Sequence, residues 1–170
     1  VNGFFSENKL ARPLHHFSVC PLDGSNNVTA RKPGSEDTLY ASCTDSNFKT
    51  DAGLTLLSGG IDPINSTASL KIKFENAGET RFDSRTNRTG HISFSLRQCA
   101  PGAELFVEAK ERCPLLVTMI PGSEVEMQLD FTLPQGASLD NWELDIVAEG
   151  AFWFSSKGIN SCAVPVLLTQ

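Results

Sequence analysis

Apolar and polar residues alternate along much of the second half of this chain. The clearest run is 124–134, where Val125, Met127, Leu129, Phe131 and Leu133 share one parity and Glu124, Glu126, Gln128, Asp130 and Thr132 the other. Successive side chains of an extended strand point to opposite faces, so this pattern predicts a half-buried β-strand. Residues 69–75 repeat it, with Leu70, Ile72 and Phe74 set against Lys71, Lys73 and Glu75. Residues 91–97 do the same, with Ile92, Phe94 and Leu96 set against His91, Ser93, Ser95 and Arg97. Trp142, Leu144, Ile146 and Ala148 form a further alternating set, and shorter apolar runs at 38–41, 54–57, 105–109 and 162–168 predict short strands. The polar, turn-rich stretch 76–90 predicts that its two flanking strands pair as a hairpin with a long loop. Ser58-Gly59-Gly60 and Gly122-Ser123 read as turns. Pro165 cannot donate to a ladder, which predicts an edge or a bulge for the last strand.

No apolar period of 3.6 residues persists for three turns, and no βαβ spacing occurs. Many short strands with frequent Gly and Pro predict an all-β fold, a two-sheet immunoglobulin-like β-sandwich. At 170 residues the chain suits one domain with a real core. Residues 1–19 lack sustained alternation and read as an N-terminal arm, leaving 20–170 as the single sandwich domain.

Charge narrows the function. With 14 Lys plus Arg against 20 Asp plus Glu, the net charge is -6 and the basic residues are scattered. That excludes the electrostatic footprint of a nucleic-acid binder. No window approaches the roughly 18 consecutive apolar residues of a membrane-spanning helix. The start carries no charged-then-apolar leader, the expectation for a processed form. Three Asn-x-Ser/Thr sequons, at Asn27, Asn65 and Asn87, accompany five cysteines. Together they predict glycosylation and an oxidising compartment: secretion, or the lumen of a lysosome or vacuole.

Catalytic chemistry is poorly provided for. His15 and His16 are adjacent and so point in opposite directions on an extended chain, and His91 lies on the polar side of a strand. The Cys/His spacings of a metal site are missing, as are the Gly-x-Ser-x-Gly nucleophile elbow and the phosphate-cradling glycine motifs. Glu124 and Glu126 share the polar face of their strand, where solvation explains them. The expectation is a protein with no catalytic residues, no metal and no cofactor, and not an enzyme. Phe152-Trp153-Phe154 is different in kind, because three consecutive large apolar side chains cannot all lie on one face of a strand. Either both faces are covered there, or part of the run is an exposed apolar patch.

Residues 99–168 carry a resemblance. Cys99 precedes Cys113-Pro114-Leu115; a Gly-led alternating strand follows from Gly122; then come Trp142-Glu143-Leu144 and a closing Cys162 with Pro165-Val166. This order resembles the ML lipid-recognition family of small secreted β-sandwiches, and within it the branch of soluble sterol carriers of the Niemann-Pick type C kind. The resemblance implies a lipid-binding or lipid-transfer protein holding one hydrophobic ligand, a sterol in that branch, between its two sheets. It implies a slot lined by Ile72, Phe74, Phe94, Leu96, Val125, Met127, Leu129, Phe131, Trp142, Leu144 and Ile146, with Phe152, Trp153 and Phe154 at its mouth. It further implies disulfides joining Cys20 to Cys162 and Cys99 to Cys113, leaving Cys43 over, and a membrane surface or receptor protein as partner. The residues themselves leave a second reading open, an extracellular recognition or adhesion sandwich with a filled core and a protein or glycan partner.

Overall fold

The structure, a computed structural model, describes residues 40–84, 89–99 and 106–167. The predicted N-terminal arm, Cys20, Asn27 and Asn87 lie outside the described residues.

Nine strands run through the described part: β1 Ala52–Asp62, β2 Thr67–Asn76, β3 Ile92–Cys99, β4 Phe106–Glu108, β5 Cys113–Pro114, β6 Glu124–Thr132, β7 Trp142–Ala148, β8 Phe152–Trp153 and β9 Cys162–Ala163. A 3-10 turn, Phe154–Lys157, follows β8. The strands form two antiparallel sheets, one ordered β1-β2-β6 and a larger one ordered β4-β3-β7-β8, with β5 beside β3 and β9 beside β7. The chain crosses between sheets after β2, β5 and β6, so the first two strands share a sheet with a later one. That is the connectivity of immunoglobulin-like sandwiches.

The alternation decides which face each strand buries. Leu70, Ile72 and Phe74 of β2 and Leu129 and Phe131 of β6 turn inward to meet Ile92, Phe94 and Leu96 of β3 and Trp142, Leu144 and Ile146 of β7. Phe74 and Phe94 pack edge-to-face across the gap between sheets, with centroids 5.0 Å apart. The outer face of the smaller sheet is solvated and charge-paired, Lys71 with Glu126 and Lys73 with Glu124.

Three expectations need correction. The strands at 69–75 and 91–97 do not form a hairpin, because β2 pairs with β1 and β6 while β3 sits in the other sheet. Ser58-Gly59-Gly60 is not a turn; it lies inside β1, just after a bulge at Leu57 that shifts the register between Leu56 and Ser58. The final run forms only the two residues of β9, then leaves that sheet. Its next residues strap onto β1: Pro165 accepts a hydrogen bond from Ile61 N–H at 2.9 Å, and Leu167 N–H donates to Ile61 O at 2.8 Å. Pro165 therefore serves as an acceptor, the one backbone role it retains.

Candidate functional site

The inward residues expected to line a lipid slot all belong to one buried cluster. Leu70, Ile72, Phe74, Phe94, Leu96 and Leu144 show 0% exposure, so no water-sized sphere fits against them. Val125 and Met127 keep only a trace of accessible surface. Phe74 of β2 and Phe94 of β3 meet ring to ring across the gap between the sheets.

The aromatic run divides between the two faces of the larger sheet. Phe154 is fully buried and extends the core, its ring 5.5 Å from Phe82 and 5.4 Å from the half-buried Phe152. Trp153 points the other way, onto the outer face of the sheet beside Val147, and is half-buried there.

That outer side is the candidate site. Along β3 the outward residues are Ser93, Ser95 and Arg97, and the register sets them opposite Val147, Asp145 and Glu143 of β7. Trp153 of β8 pairs beside Val147, and Glu108 of β4 beside Arg97. Ser93, Ser95, Asp145 and Val147 are buried although they face away from the core. The indole of Trp153 reaches Phe106, edge to face at 5.2 Å, and roofs this face with help from two arginines. The Arg97 guanidinium lies against both rings, 5.5 Å from the Phe106 centroid and 5.2 Å from that of Trp153. Arg112 also lies over Trp153, at 4.9 Å.

Each guanidinium is matched by carboxylates. Arg97 Nη2 pairs with Asp145 Oδ2 at 2.8 Å and donates to Ser155 Oγ at 2.9 Å, and that hydroxyl donates to Asp145 Oδ2 at 2.6 Å. Arg112 forks onto Glu108, with its Nη2 3.0 Å from Oε2, and its Nη1 donates to Glu149 Oε2 at 2.6 Å. Ser95 Oγ donates to Glu108 Oε1 at 2.6 Å. Burial opposes ionisation of Glu108, but hydrogen bonds from Arg112 and Ser95 and the two guanidinium charges outweigh it and hold the carboxyl below its usual range. Arg97 Nε is buried without a hydrogen-bond partner. With Asp145, Glu108 and Glu149 each engaged by a guanidinium, the cluster fixes charge in place.

Sequence reasoning placed Arg97 on the outward face of its strand and singled out Trp153, but it missed Phe106, Glu108, Arg112, Asp145, Glu149 and Ser155. The signal within reach was the aromatic run itself, since covering both faces requires something on the outer side to pack against.

Of the two disulfides that the resemblance implied, Cys20 to Cys162 involves a residue outside the described ones, and the register speaks against Cys99 to Cys113. Cys113 stands opposite Phe94 on β3, and Cys99 lies five residues further along that strand, opposite Phe106. At about 3.3 Å per residue the two are on the order of 16 Å apart, beyond the ~7 Å Cα separation that a disulfide spans. Cys113 is a free thiol that donates to Asp130 O at 3.3 Å. Cys162 is likewise a free thiol.

Of the three sequon asparagines, Asn65 alone falls among the described residues, exposed in the turn between β1 and β2. Set against known proteins, the chain matches no family model and no curated protein.

Proposed function

We propose that this chain is an extracellular recognition module that docks a partner protein on the outer face of its larger sheet. The observation that carries the reading is the cluster of Phe106, Arg97, Trp153 and Arg112 over a dry sheet face, with Phe106 of the edge strand β4 38% exposed on that side. Tryptophan and arginine dominate the energetic centres of protein interfaces, and they do so best when held rigid and shielded from water. Here both are held before any partner arrives, which lowers the ordering cost of binding.

Stability alone accounts for the cluster poorly. A buried ion pair roughly breaks even against an apolar replacement, and an unpaired buried N–H such as Arg97 Nε costs about 1–3 kcal/mol. A polar network kept at that cost in place of a plain apolar layer favours a use at the surface it builds.

A protein partner fits better than a glycan. Sugars stack flat on an aromatic face, and the face of Trp153 is already occupied by guanidinium groups at 5.2 and 4.9 Å. The site also leans acidic, with Arg97 and Arg112 set against Asp145, Glu108 and Glu149, two positive groups to three negative. The partner surface is therefore apolar at its centre and neutral to basic at its rim. Lipid carriage between the sheets would require the closed inward faces to part.

The test uses an array of extracellular proteins probed with the labelled chain, in parallel with the variant Phe106→Ser, whose side chain is partly exposed at the cluster. A partner bound by the parent and lost, at least tenfold, by a folded Phe106→Ser supports the reading. A stoichiometric lipid recovered by solvent extraction, or partner binding indifferent to Phe106→Ser, overturns it.

A further inference from the structure

The turn between β1 and β2 carries an accessible sequon and an exposed isoleucine side by side. Asp62, the last residue of β1, organises this turn: its Oδ1 accepts from Ile64 N–H at 2.8 Å and Asn65 N–H at 3.2 Å, and its Oδ2 accepts from the Asn65 carboxamide at 2.7 Å. Ser66 adopts a left-handed backbone, φ 52°, which returns the chain to β2 at Thr67. The acceptor asparagine thus stands at the hairpin tip, while the hydroxyl that completes the sequon opens the next strand. Next to it, Ile64 is 75% exposed, whereas Ile72, Ile92 and Ile146 are buried in the core cluster.

We propose that Asn65 is an N-glycan acceptor, and that the first sugars of the glycan cover Ile64. The donor class is an oligosaccharide linked through pyrophosphate to a lipid. In the transfer, a bond forms between Asn65 Nδ2 and the anomeric carbon, the bond from that carbon to the pyrophosphate oxygen breaks, and one amide proton is released. The pyrophosphate-bearing lipid leaves with the electron pair. Because the carboxamide begins with two N–H groups, one remains to donate to Asp62, so the modified residue keeps its place in the turn. The apolar face of the sugar ring then shields an isoleucine that would otherwise meet water. The inference requires passage through a secretory lumen and does not depend on the partner-docking reading.

The experiment expresses the full chain in a eukaryotic secretory host and maps its peptides. Glycans are released by an amidase in ¹⁸O water, which converts occupied asparagine to labelled aspartate. The expected result is labelled aspartate at position 65, lost in Asn65→Gln and in Thr67→Ala but retained in Thr67→Ser, which preserves the acceptor motif. Removing the glycan should also raise binding of an apolar dye, and this rise should vanish in Ile64→Thr. Recovery of position 65 wholly as unlabelled asparagine from the secreted parent protein overturns the proposal. A dye response unchanged by Ile64→Thr overturns the covering role.

Discussion

Arg97 is the residue on which the outer face turns. It occupies an ordinary outward position of β3, yet its guanidinium joins two rings from β4 and β8 and a carboxylate from β7. A lysine could not replace it, since an ammonium lacks the planar fork that stacks and pairs at once. Cys43 makes the opposite use of burial. Its thiol donates to Gly90 O at 3.2 Å, and burial pushes its pKa from 9.0 up to about 11, with the nearby Asp83 charge adding and the Ser42 hydroxyl opposing. The folded-state pKa is thus raised. Below pH 9 both states hold the proton and stability is fully present. As pH rises from 9 to 11, the unfolded chain sheds a proton that the folded chain keeps, and stability falls, by on the order of 2 kcal/mol. Other groups titrate in that window too, so the informative quantity is a difference. Urea denaturation at pH 8, 9, 10 and 11 should show the parent losing more stability than Cys43→Ala. Equal losses would mean that the thiol is not the group responsible.

At the scale of elements, β1 is where local chemistry and pairing pull apart. Gly59 sits inside the strand with φ +98°, and a Cβ there would lie 2.0 Å from Ser69 O on β2. Gly59→Ala therefore strains the backbone and collides with a neighbouring strand that cannot retreat, for an expected loss of about 3 kcal/mol or more. Gly122 also has a left-handed backbone, φ +76°, but nothing lies within 4 Å of its Cβ position, so Gly122→Ala should cost only about 1–2 kcal/mol. Chemical denaturation midpoints of the two variants separate steric from torsional cost, and equal losses would refute the close approach at Gly59. The same glycines made β1 hard to read: Ser58-Gly59-Gly60 has turn composition, and only pairing with β2 keeps it extended. Strands whose inward positions are regularly apolar, such as β2, β3, β6 and β7, were legible because one covered face is enough to set a period of two. Their partners were not, since pairing depends on which hydrophobic faces meet after collapse. The candidate site was hidden for that reason: Arg112 reaches Glu149 37 positions away and Arg97 reaches Ser155 58 positions away.

On the scale of the whole molecule, the question is whether the two sheets enclose a ligand or each other. A chain of aromatic contacts runs through the interior, Phe94 to Phe74 to Phe82 to Phe154 to Phe152, with successive centroids 5.0 to 5.7 Å apart. It links both sheets, the segment carrying Phe82 and the 3-10 turn, so its members hold one another in place. In a filled interior, Phe94→Ala leaves a cavity that neighbours cannot collapse into, and the expected loss is about 3–5 kcal/mol. A slot built for a lipid behaves differently, because its lining residues border space and their truncation merely widens it. Such a slot also links stability to ligand: saturation at a hundredfold excess over Kd adds about 2.7 kcal/mol. The two architectures therefore predict opposite pairs of results. For the filled sandwich, thermal unfolding of the parent is unchanged by sterol, phospholipid or fatty acid, and Phe94→Ala unfolds well below the parent. A parent stabilised by one of these lipids, together with a Phe94→Ala variant of near-parent stability, would show that the sheets part to admit a ligand.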